Sequence, residues 1–374
     1  MGKKRILLMY ISKNSGHHHA SLAIESALRE LSDDVEVLNV NSFLYTNPIL
    51  EKIINKTYMS VIKRTPEVWG YLYDNPKVVR RTQKLRESIH KYNSSKMRNL
   101  LESYKPDAVA CTQAFPCGIV SDYKKTSCSD LVLAGVLTDY APHAYWFFDN
   151  VDIYFVPSEE TRQRFVSYGI SQDRVKLTGI PIDPRFKKII DRKKVLDSMN
   201  FSPAMPIILL MGGSQGLGPI KEIVKVLDNS PTAFQIIVVA GINKRLYNGL
   251  SKLAPRLKKK TAVVGYTENV DELMSISSLI ITKPGGITVS EALVKGLPIL
   301  IVKPIPGHEQ MNTDHLVKHN LAIKANNLSD LEIFVSELLS NPKALENMRE
   351  RIKSFSKPQS AFDIAETILE KINL

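Results

Sequence analysis

The sequence predicts an α/β protein built from two Rossmann-like domains, and three observations carry that expectation. Short apolar runs alternate with amphipathic stretches along the whole chain, the pattern of strands and helices in βαβ units and hence of parallel sheets. The alternation pauses at Gly179–Pro184 and then begins afresh. Two apolar runs in the second half pass straight into a glycine turn and then a helix: Met211–Ile220 reads MGGSQGLGPI, and Thr282–Pro298 reads TKPGGITVSEALVKGLP. With 374 residues, the chain is long enough for two full cores. Ligands of such sheets bind beyond the carboxyl ends of the strands, so the cleft between the two domains is the expected site.

Taken in order, Arg5–Ile11 is the first buried strand. Lys3, Lys4 and Arg5 mimic the start of a secretory leader, but the apolar stretch Ile6–Ile11 is too short and no small-residue cleavage site follows. Ala20–Leu31 is a helix with Ile24, Ala27, Leu28 and Leu31 on one stripe. Val35–Val40 is a strand, residues 50–100 are mostly helical, and Asp107–Cys111, Leu131–Thr138 and Ile153–Val156 are short strands. Ser158 can cap a helix that Gly169 ends. Val175–Thr178 closes the first domain, and Gly179–Pro184, with two prolines, is the hinge. In the second domain, strands fall at Pro206–Met211, Gln235–Ala240, Thr261–Val264, Ser278–Thr282 and Leu297–Val302. Pro219 opens a helix that aligns Ile220, Ile223, Val224 and Leu227. The last helix, Ser360–Ile372, has no strand after it and is expected to cross back onto the first domain. The expected domains are therefore 1–184 with 357–374, and 185–356.

Composition narrows the function classes. No apolar run approaches the roughly 20 residues that span a bilayer. Three cysteines, Cys111, Cys117 and Cys128, offer neither a metal spacing nor a disulfide framework, so a reducing cytosol is expected. The net charge of +12 is unevenly placed: residues 50–100 hold twelve Lys/Arg against four Asp/Glu, with Tyr58, Trp69, Tyr71, Tyr73 and Tyr92 interleaved. Basic charge with Trp and Tyr suits an anionic membrane surface. The alternatives are a solvated helical face or nucleic acid, and no nucleic-acid motif accompanies the charge.

The glycine turns are the first candidate site. A strand that runs into a glycine turn and a helix aims backbone N–H groups and the positive end of a helix dipole at an anion. Two such turns suggest a diphosphate held between them. Gly212, Gly213, Ser214, Gln215 and Gly216 form the first, which matches neither the P-loop nor GxGxxG. Pro284, Gly285, Gly286, Ile287 and Thr288 form the second, and Glu291 follows within its helix. A carboxylate there can accept both ribose hydroxyls; the alternative is an acid favoured by the dipole of the first turn. Pro304–Asn312 (PIPGHEQMN) gathers His308, Glu309, Gln310 and Asn312, donors and acceptors suited to sugar hydroxyls or to a polar helix cap. In the first domain, Ser12–Ser21 (SKNSGHHHAS) lies between the first strand and helix, with Gly16 permitting a tight turn. A histidine there can act as general base near neutral pH, or the run is merely solvated. Adjacent residues rarely supply two ligands to one ion and no His-x3-His pattern is read, so no metal is expected. Asp139, at a strand's carboxyl end ahead of His143 and Trp146, can orient a histidine or a hydroxyl, or cap a helix.

With these residues in view, the chain resembles family-28 glycosyltransferases of the monogalactosyldiacylglycerol synthase and processive diacylglycerol glucosyltransferase branch over nearly its whole length. The first half is similar through Gly16-His17 with Ala20-Ser21, Pro66 and Trp69, Thr138-Asp139 with His143 and Trp146, and Gly179-Ile180-Pro181. The second half is similar through GGSQG, TKPGGIT-x-SEA-xxx-GLP and PxPGxE. Three departures stand out: many members carry glycine at the place of Asn14 and glutamine at that of His308, and the doublet His18-His19 is unusual.

The resemblance implies two Rossmann-like domains facing across a cleft (GT-B) and an inverting, metal-independent transfer from a UDP-sugar, with no cofactor. The first domain would face the membrane and the acceptor, and the second would bind the donor. His17 would be the base, with His18 one residue away as the alternative, and Asp139 would orient it. Uracil would lie near Gly265-Tyr266, ribose on Glu291, the diphosphate on the glycine turns, and the sugar on His308, Glu309 and Asn312. The implied acceptor is the 3-hydroxyl of diacylglycerol and the implied donor UDP-glucose ahead of UDP-galactose. The enzyme would sit peripherally on the cytoplasmic face of the cell membrane through residues 50–100. The alternatives are transfer of N-acetylglucosamine to a peptidoglycan lipid intermediate, a UDP-sugar epimerase, or a membrane-docked sugar-nucleotide sensor without turnover.

Overall fold

The architecture is that of a computed structural model describing residues 2–49, 52, 57, 60, 65, 67 and 95–373. Tyr58, Pro66, Trp69, Tyr71, Tyr73, Tyr92 and most of the basic residues between 50 and 94 lie outside the described residues. The chain divides into two compact units. One is Met1–Pro184 with Ile305–His308 and Lys357–Leu374; the other is Arg185–Pro304 with Glu309–Ser356. His308 therefore groups with the first unit, whereas Glu309 and Asn312 belong to the second.

The first unit holds a six-stranded parallel sheet in the order β2-β1-β3-β4-β5-β6. Its strands are β1 (Lys4–Tyr10), β2 (Val35–Asn41), β3 (Ala108–Cys111), β4 (Val132–Val136), β5 (Ile153–Val156) and β6 (Val175–Leu177). Side chains alternate across a strand, and the two faces separate cleanly. Leu7, Met9, Val109 and Leu133 pack with Cys117 and Val120 of the Ala114–Ser127 helix. Ile6, Leu8, Ala108 and Ala134 pack with Ile24, Ala27 and Leu28 of the first helix and with Ile364, Ala365 and Ile368 of the last. A parallel sheet covered on both faces needs apolar residues at every position, and Ile6 through Met9 are all fully buried. The last helix, Ser360–Lys371, thus completes the first core, as expected, and Lys176 Nζ donates to its Thr367 Oγ1 at 2.7 Å.

The second unit repeats the plan in the order β12-β11-β10-β7-β8-β9. Its strands are β7 (Ile207–Met211), β8 (Gln235–Val239), β9 (Thr261–Val264), β10 (Leu279–Thr282), β11 (Ile299–Val302) and β12 (Ala322–Ala325). Counted within the unit and read from the β9 edge, this is the 3-2-1-4-5-6 order of dinucleotide-binding folds, with its reversal between β7 and β10. Ile220, Ile223, Val224 and Leu227 form the buried stripe of the Ile220–Asn229 helix.

Three details differ from the sequence expectation. The first helix begins at Gly16, not Ala20, because Ser15 caps it by accepting from His18 N at 3.3 Å. The Ala114–Ser127 helix is unexpected: Pro116 and Gly118 depress its helix propensity, and burial against the sheet overrides that preference. β12 is also unexpected, since four residues with Lys324 among them give little periodic signal. Of the cysteines, Cys111 and Cys117 are buried, and burial followed by Cys117 itself pushes the Cys111 thiol up. Cys128 is exposed in the left-handed region at φ 48°. Among the described residues no helix is long and apolar enough to cross a membrane.

Gly179 follows β6 at φ 89°, and a Cβ there would lie 2.6 Å from Lys357 Cβ, where the chain returns to the first unit. Gly179→Ala is expected to cost about 1–3 kcal/mol through strain and that clash, read as a lower denaturant midpoint for the first unit.

Candidate functional site

In the first unit the reversal of strand order falls between β1 and β3, which pair with Met9 opposite Cys111. The chain leaving β1 turns through two left-handed residues, Ser12 (φ 59°) and Asn14 (φ 60°). Asparagine is among the few non-glycine residues that take this conformation. Gly16, expected to make the turn, is instead the exposed first residue of the helix. The histidine run thereby becomes the first helical turn, and its members point apart.

His17 turns toward the end of β3. Its Nδ1 lies 2.8 Å from Thr112 O and 3.1 Å from Thr138 Oγ1. A carbonyl only accepts, so Nδ1 carries the proton and Nε2 keeps its lone pair. Thr112 holds the residue from the other side as well, its hydroxyl donating to His17 O at 2.9 Å, while its own N–H is fixed to Met9 O at 3.0 Å. Burial lowers the His17 pKa; the Asp139 carboxylate and the Thr112 carbonyl oppose this, and His308, in the same unit, lowers it slightly further. His18 is bonded in the opposite sense. Its Nδ1 accepts from Asn14 N at 3.3 Å, so its proton sits on Nε2, and its ring packs on Tyr10 at 4.3 Å. Asp139 caps no helix: that role falls to His143, whose Nδ1 accepts from Tyr145 N at 3.3 Å.

In the second unit, β7 and β10 pair with Met211 opposite Thr282, so both glycine turns start side by side at the switch point. Their carbonyls are held away from that site. In the first turn, Gly212 O accepts from Leu217 N, Gly213 O from Gly216 N, Ser214 O from Ile242 N at 2.9 Å, and Gly216 O from Asn243 Nδ2. In the second, Lys283 O accepts from Gly285 N and the Thr282 hydroxyl, and Pro284 O from Asn312 Nδ2 at 2.9 Å. Peptides with committed carbonyls present their N–H edges outward, which is the arrangement an anion needs. The packing admits no side chain: a Cβ on Gly216 would meet Ala240 O at 2.2 Å, and one on Gly241 would meet Ser214 O at 2.2 Å. Gly213, Ser214 and Gln215 at the tip, with Gly285 and Thr288 opposite, stay partly exposed, whereas Pro284, Gly286 and Ile287 are buried.

The other expected residues divide into two kinds. Glu291, half-buried, lies beyond the first turn of the Gly286–Val294 helix, so it is not an acid of that first turn. Tyr266, 42% exposed after β9, offers an open aromatic face. Asn312 is inaccessible, its amide spent on Pro284 O; it positions the second turn and does not reach a ligand surface. Glu309 is buried in an ion pair with Lys283, Oε1 to Nζ 3.0 Å, and burial lowers the Lys283 pKa against the pull of Glu309. The sequence reading passed over Thr112, Gly241, Asn243 and Lys283 as site residues. The available signal was position, since each lies within four residues of a strand's carboxyl end. It also passed over His315 and His319, a His-x3-His pair whose tilted rings lie 4.6 Å apart beside Phe355.

Comparison with known proteins bears on the family and the fold. Residues 17–182 match the family described as Monogalactosyldiacylglycerol (MGDG) synthase, and residues 207–366 match the Glycosyltransferase family 28 C-terminal domain. The processive diacylglycerol beta-glucosyltransferase of Staphylococcus saprophyticus is 30% identical over 377 residues, covering 99% of this chain and 93% of that protein. The chain belongs to glycosyltransferase family 28, in its MGDG synthase and processive diacylglycerol glucosyltransferase branch. The Bacillus pumilus processive diacylglycerol beta-glucosyltransferase is 28% identical over 372 residues, 99% of this chain and 96% of that one. Among solved structures, MurG of Acinetobacter baumannii aligns with a TM-score of 0.66 at 14% identity, over 98% of this chain and 99% of that chain. At that identity the likeness speaks of fold alone, and the fold is the two-Rossmann GT-B type of this family.

The Lys283–Glu309 pair gives a direct test of how the second turn is held. Lys283→Met strands a buried carboxylate and is expected to cost about 3–5 kcal/mol, while adding Glu309→Met should recover most of it, because apolar replacement of a whole buried pair is often neutral. Urea unfolding of the three variants reads both changes.

Proposed function

We propose that the protein is an inverting, metal-independent UDP-hexose:1,2-diacylglycerol 3-hexosyltransferase that makes a β-linked glycolipid, with UDP-glucose as donor. The observation that carries this reading is the His17 imidazole, whose Nδ1 proton is committed to Thr112 O so that Nε2 is the basic atom. Family membership and the near full-length similarity to processive diacylglycerol beta-glucosyltransferases supply the substrate classes.

In this mechanism the second unit holds the donor. The turns Gly212–Gly216 and Gly285–Thr288 take the diphosphate through the N–H groups left over once Gly216 N is spent on Gly213 O and Gly285 N on Lys283 O, Glu291 takes the ribose hydroxyls and Tyr266 the base. Glu309 and His308 meet the sugar. The 3-hydroxyl oxygen of diacylglycerol attacks the anomeric carbon on the face opposite UDP. The carbon–oxygen bond to UDP breaks, UDP leaves with the electron pair, and His17 Nε2 takes the hydroxyl proton. Asp139 stabilises the imidazolium that forms. The N–H cradle and the helix dipole at Gly286 stabilise the charge developing on UDP, a contribution often the largest in such sites. The first unit would carry the acceptor side, and the basic segment 50–100 would hold the enzyme peripherally on the cytoplasmic membrane face.

UDP release from UDP-glucose and UDP-galactose, with vesicles containing or lacking diacylglycerol, tests the reaction. Diacylglycerol-dependent release from UDP-glucose is expected; tight UDP binding without release from either donor would favour a peptidoglycan lipid acceptor or a sensor. His17→Ala should lower kcat by about 10²–10⁴ and leave UDP affinity intact. His18→Ala should disturb the Asn14 turn and lower the rate far less; the reverse ranking would move the base to His18.

The acidic limb of kcat/KM should fall below the ordinary histidine value of 6.5, because burial lowers the His17 pKa and the base is active when neutral. Asp139→Asn removes an influence that raises that pKa, so the limb should move further to acid while the rate falls. A pH profile whose limb moves upward in this variant would contradict the assigned pair.

A further inference from the structure

A second basic face lies on the second unit. Between Asn229 and Thr267 the chain carries seven Lys/Arg and no Asp/Glu. With +8 in residues 50–100 and +7 here against +12 overall, all other residues together stand at −3. Residues 185–194 form a third basic stretch, with six Lys/Arg against Asp191, but 229–267 is the longer run and carries no acid of its own.

The fold gathers the second stretch along one edge of its sheet. The Lys244–Leu253 helix buries Leu246 and Leu250 in the second core and leaves Lys244, Arg245, Tyr247 and Lys252 exposed. Arg256, Lys258 and Lys260 follow, exposed, on the way into the edge strand β9. Lys259 is the exception, with Nζ donating to Thr232 O at 2.6 Å above the Phe234 ring. Two large side chains with apolar surface, Ile242 at 44% and Tyr247 at 39% exposure, stand among the cations. An open hollow of about 520 Å³ lies between Ser251, Pro255, Leu257 and Lys258–Thr261, room for a phospholipid headgroup.

We infer that this face is a second docking surface for an anionic phospholipid bilayer, built into the nucleotide-type unit and distinct from the basic segment 50–100. The acid at the border of this face is Asp228, whose Oδ1 accepts from Lys259 N at 2.9 Å, and the exposed cations Lys244, Arg245, Lys252, Arg256, Lys258 and Lys260 outnumber it. An unbroken set of cations is attracted to the negative potential of an anionic leaflet, and a tyrosine and an isoleucine beside them suit the headgroup boundary. Nucleic acid would answer the same charge, but aliphatic anchors add nothing to phosphate contacts. The inference goes beyond glycosyl transfer and does not depend on it.

The test uses the full chain with Lys244→Gln, Arg245→Gln, Lys252→Gln and Arg256→Gln combined, none of them in the proposed machinery. Partitioning onto sedimentable phosphatidylglycerol–phosphatidylcholine vesicles lacking diacylglycerol should fall by roughly tenfold or more, with a shallower salt dependence. The melting temperature and the transfer rate on detergent-dispersed diacylglycerol should stay at the wild-type level. Neutralising Lys77, Arg80, Arg81 and Lys84 instead should give a separate loss that multiplies with the first. Unchanged partitioning of the first variant overturns the inference, as does tighter binding of the wild type to duplex DNA than to these vesicles. Loss of partitioning in a protein that transfers no sugar would leave the face standing and remove the glycosyltransferase reading.

Discussion

Much of the second unit follows from one strand register. β7 and β10 are neighbours only because the order of strands reverses between them, and Met211 stands opposite Thr282. A slip of one residue would send each following turn to the other face of the sheet. With the register as it is, two N–H-rich turns emerge together, and the carbonyls of Gly212, Gly213, Ser214, Gly216, Lys283 and Pro284 are spoken for by nearby groups. Asn243, Ile242, Asn312 and the Thr282 hydroxyl each satisfy an oxygen that would otherwise repel an anion. The glycines matter for clearance as much as for conformation, since the GGSQG turn and the Ala240-Gly241 turn touch backbone to backbone.

The first unit uses the same topological device for a different end. At its own reversal point, between β1 and β3, the chain places a titratable ring where the second unit places two N–H-rich turns. The ring is poised by desolvation against the field of Asp139, and the Thr112 carbonyl selects which nitrogen is basic. Burial alone would make a neutral histidine; the hydrogen bond makes it a base with a defined direction. Adjacent histidines in one helical turn thus become different chemical groups, because His18 meets a backbone donor where His17 meets a backbone acceptor.

The α/β alternation was legible wherever strands were long apolar runs, as at Ile6–Met9 and Ile207–Met211, and where a breaker marked the next element, as at Pro219 and Gly169. It was not legible at β12, where four residues carry too little pattern, nor in the Ala114–Ser127 helix, where tertiary burial outweighs Pro116 and Gly118. In the site, glycines and charged residues announce themselves in a sequence. Residues that act by spending a hydrogen bond on a neighbour do not: the buried Asn312 reads as a sugar contact until its amide is found on Pro284 O. Thr112 likewise looks like any threonine after a strand until its carbonyl is seen on His17.

The distribution of thiols has a practical side. With Cys111 and Cys117 sealed in the first core and Cys128 exposed at the end of the Ala114–Ser127 helix, the natural chain already offers a single addressable attachment point. A maleimide fluorophore or spin label would settle there without any cysteine having to be removed. The labelled helix begins two residues after Thr112, whose carbonyl fixes the His17 ring. A reporter at position 128 therefore sits on the far end of a helical rod whose near end adjoins the His17 imidazole, a vantage from which ligand-driven movements of the first unit can be followed in the unmodified sequence.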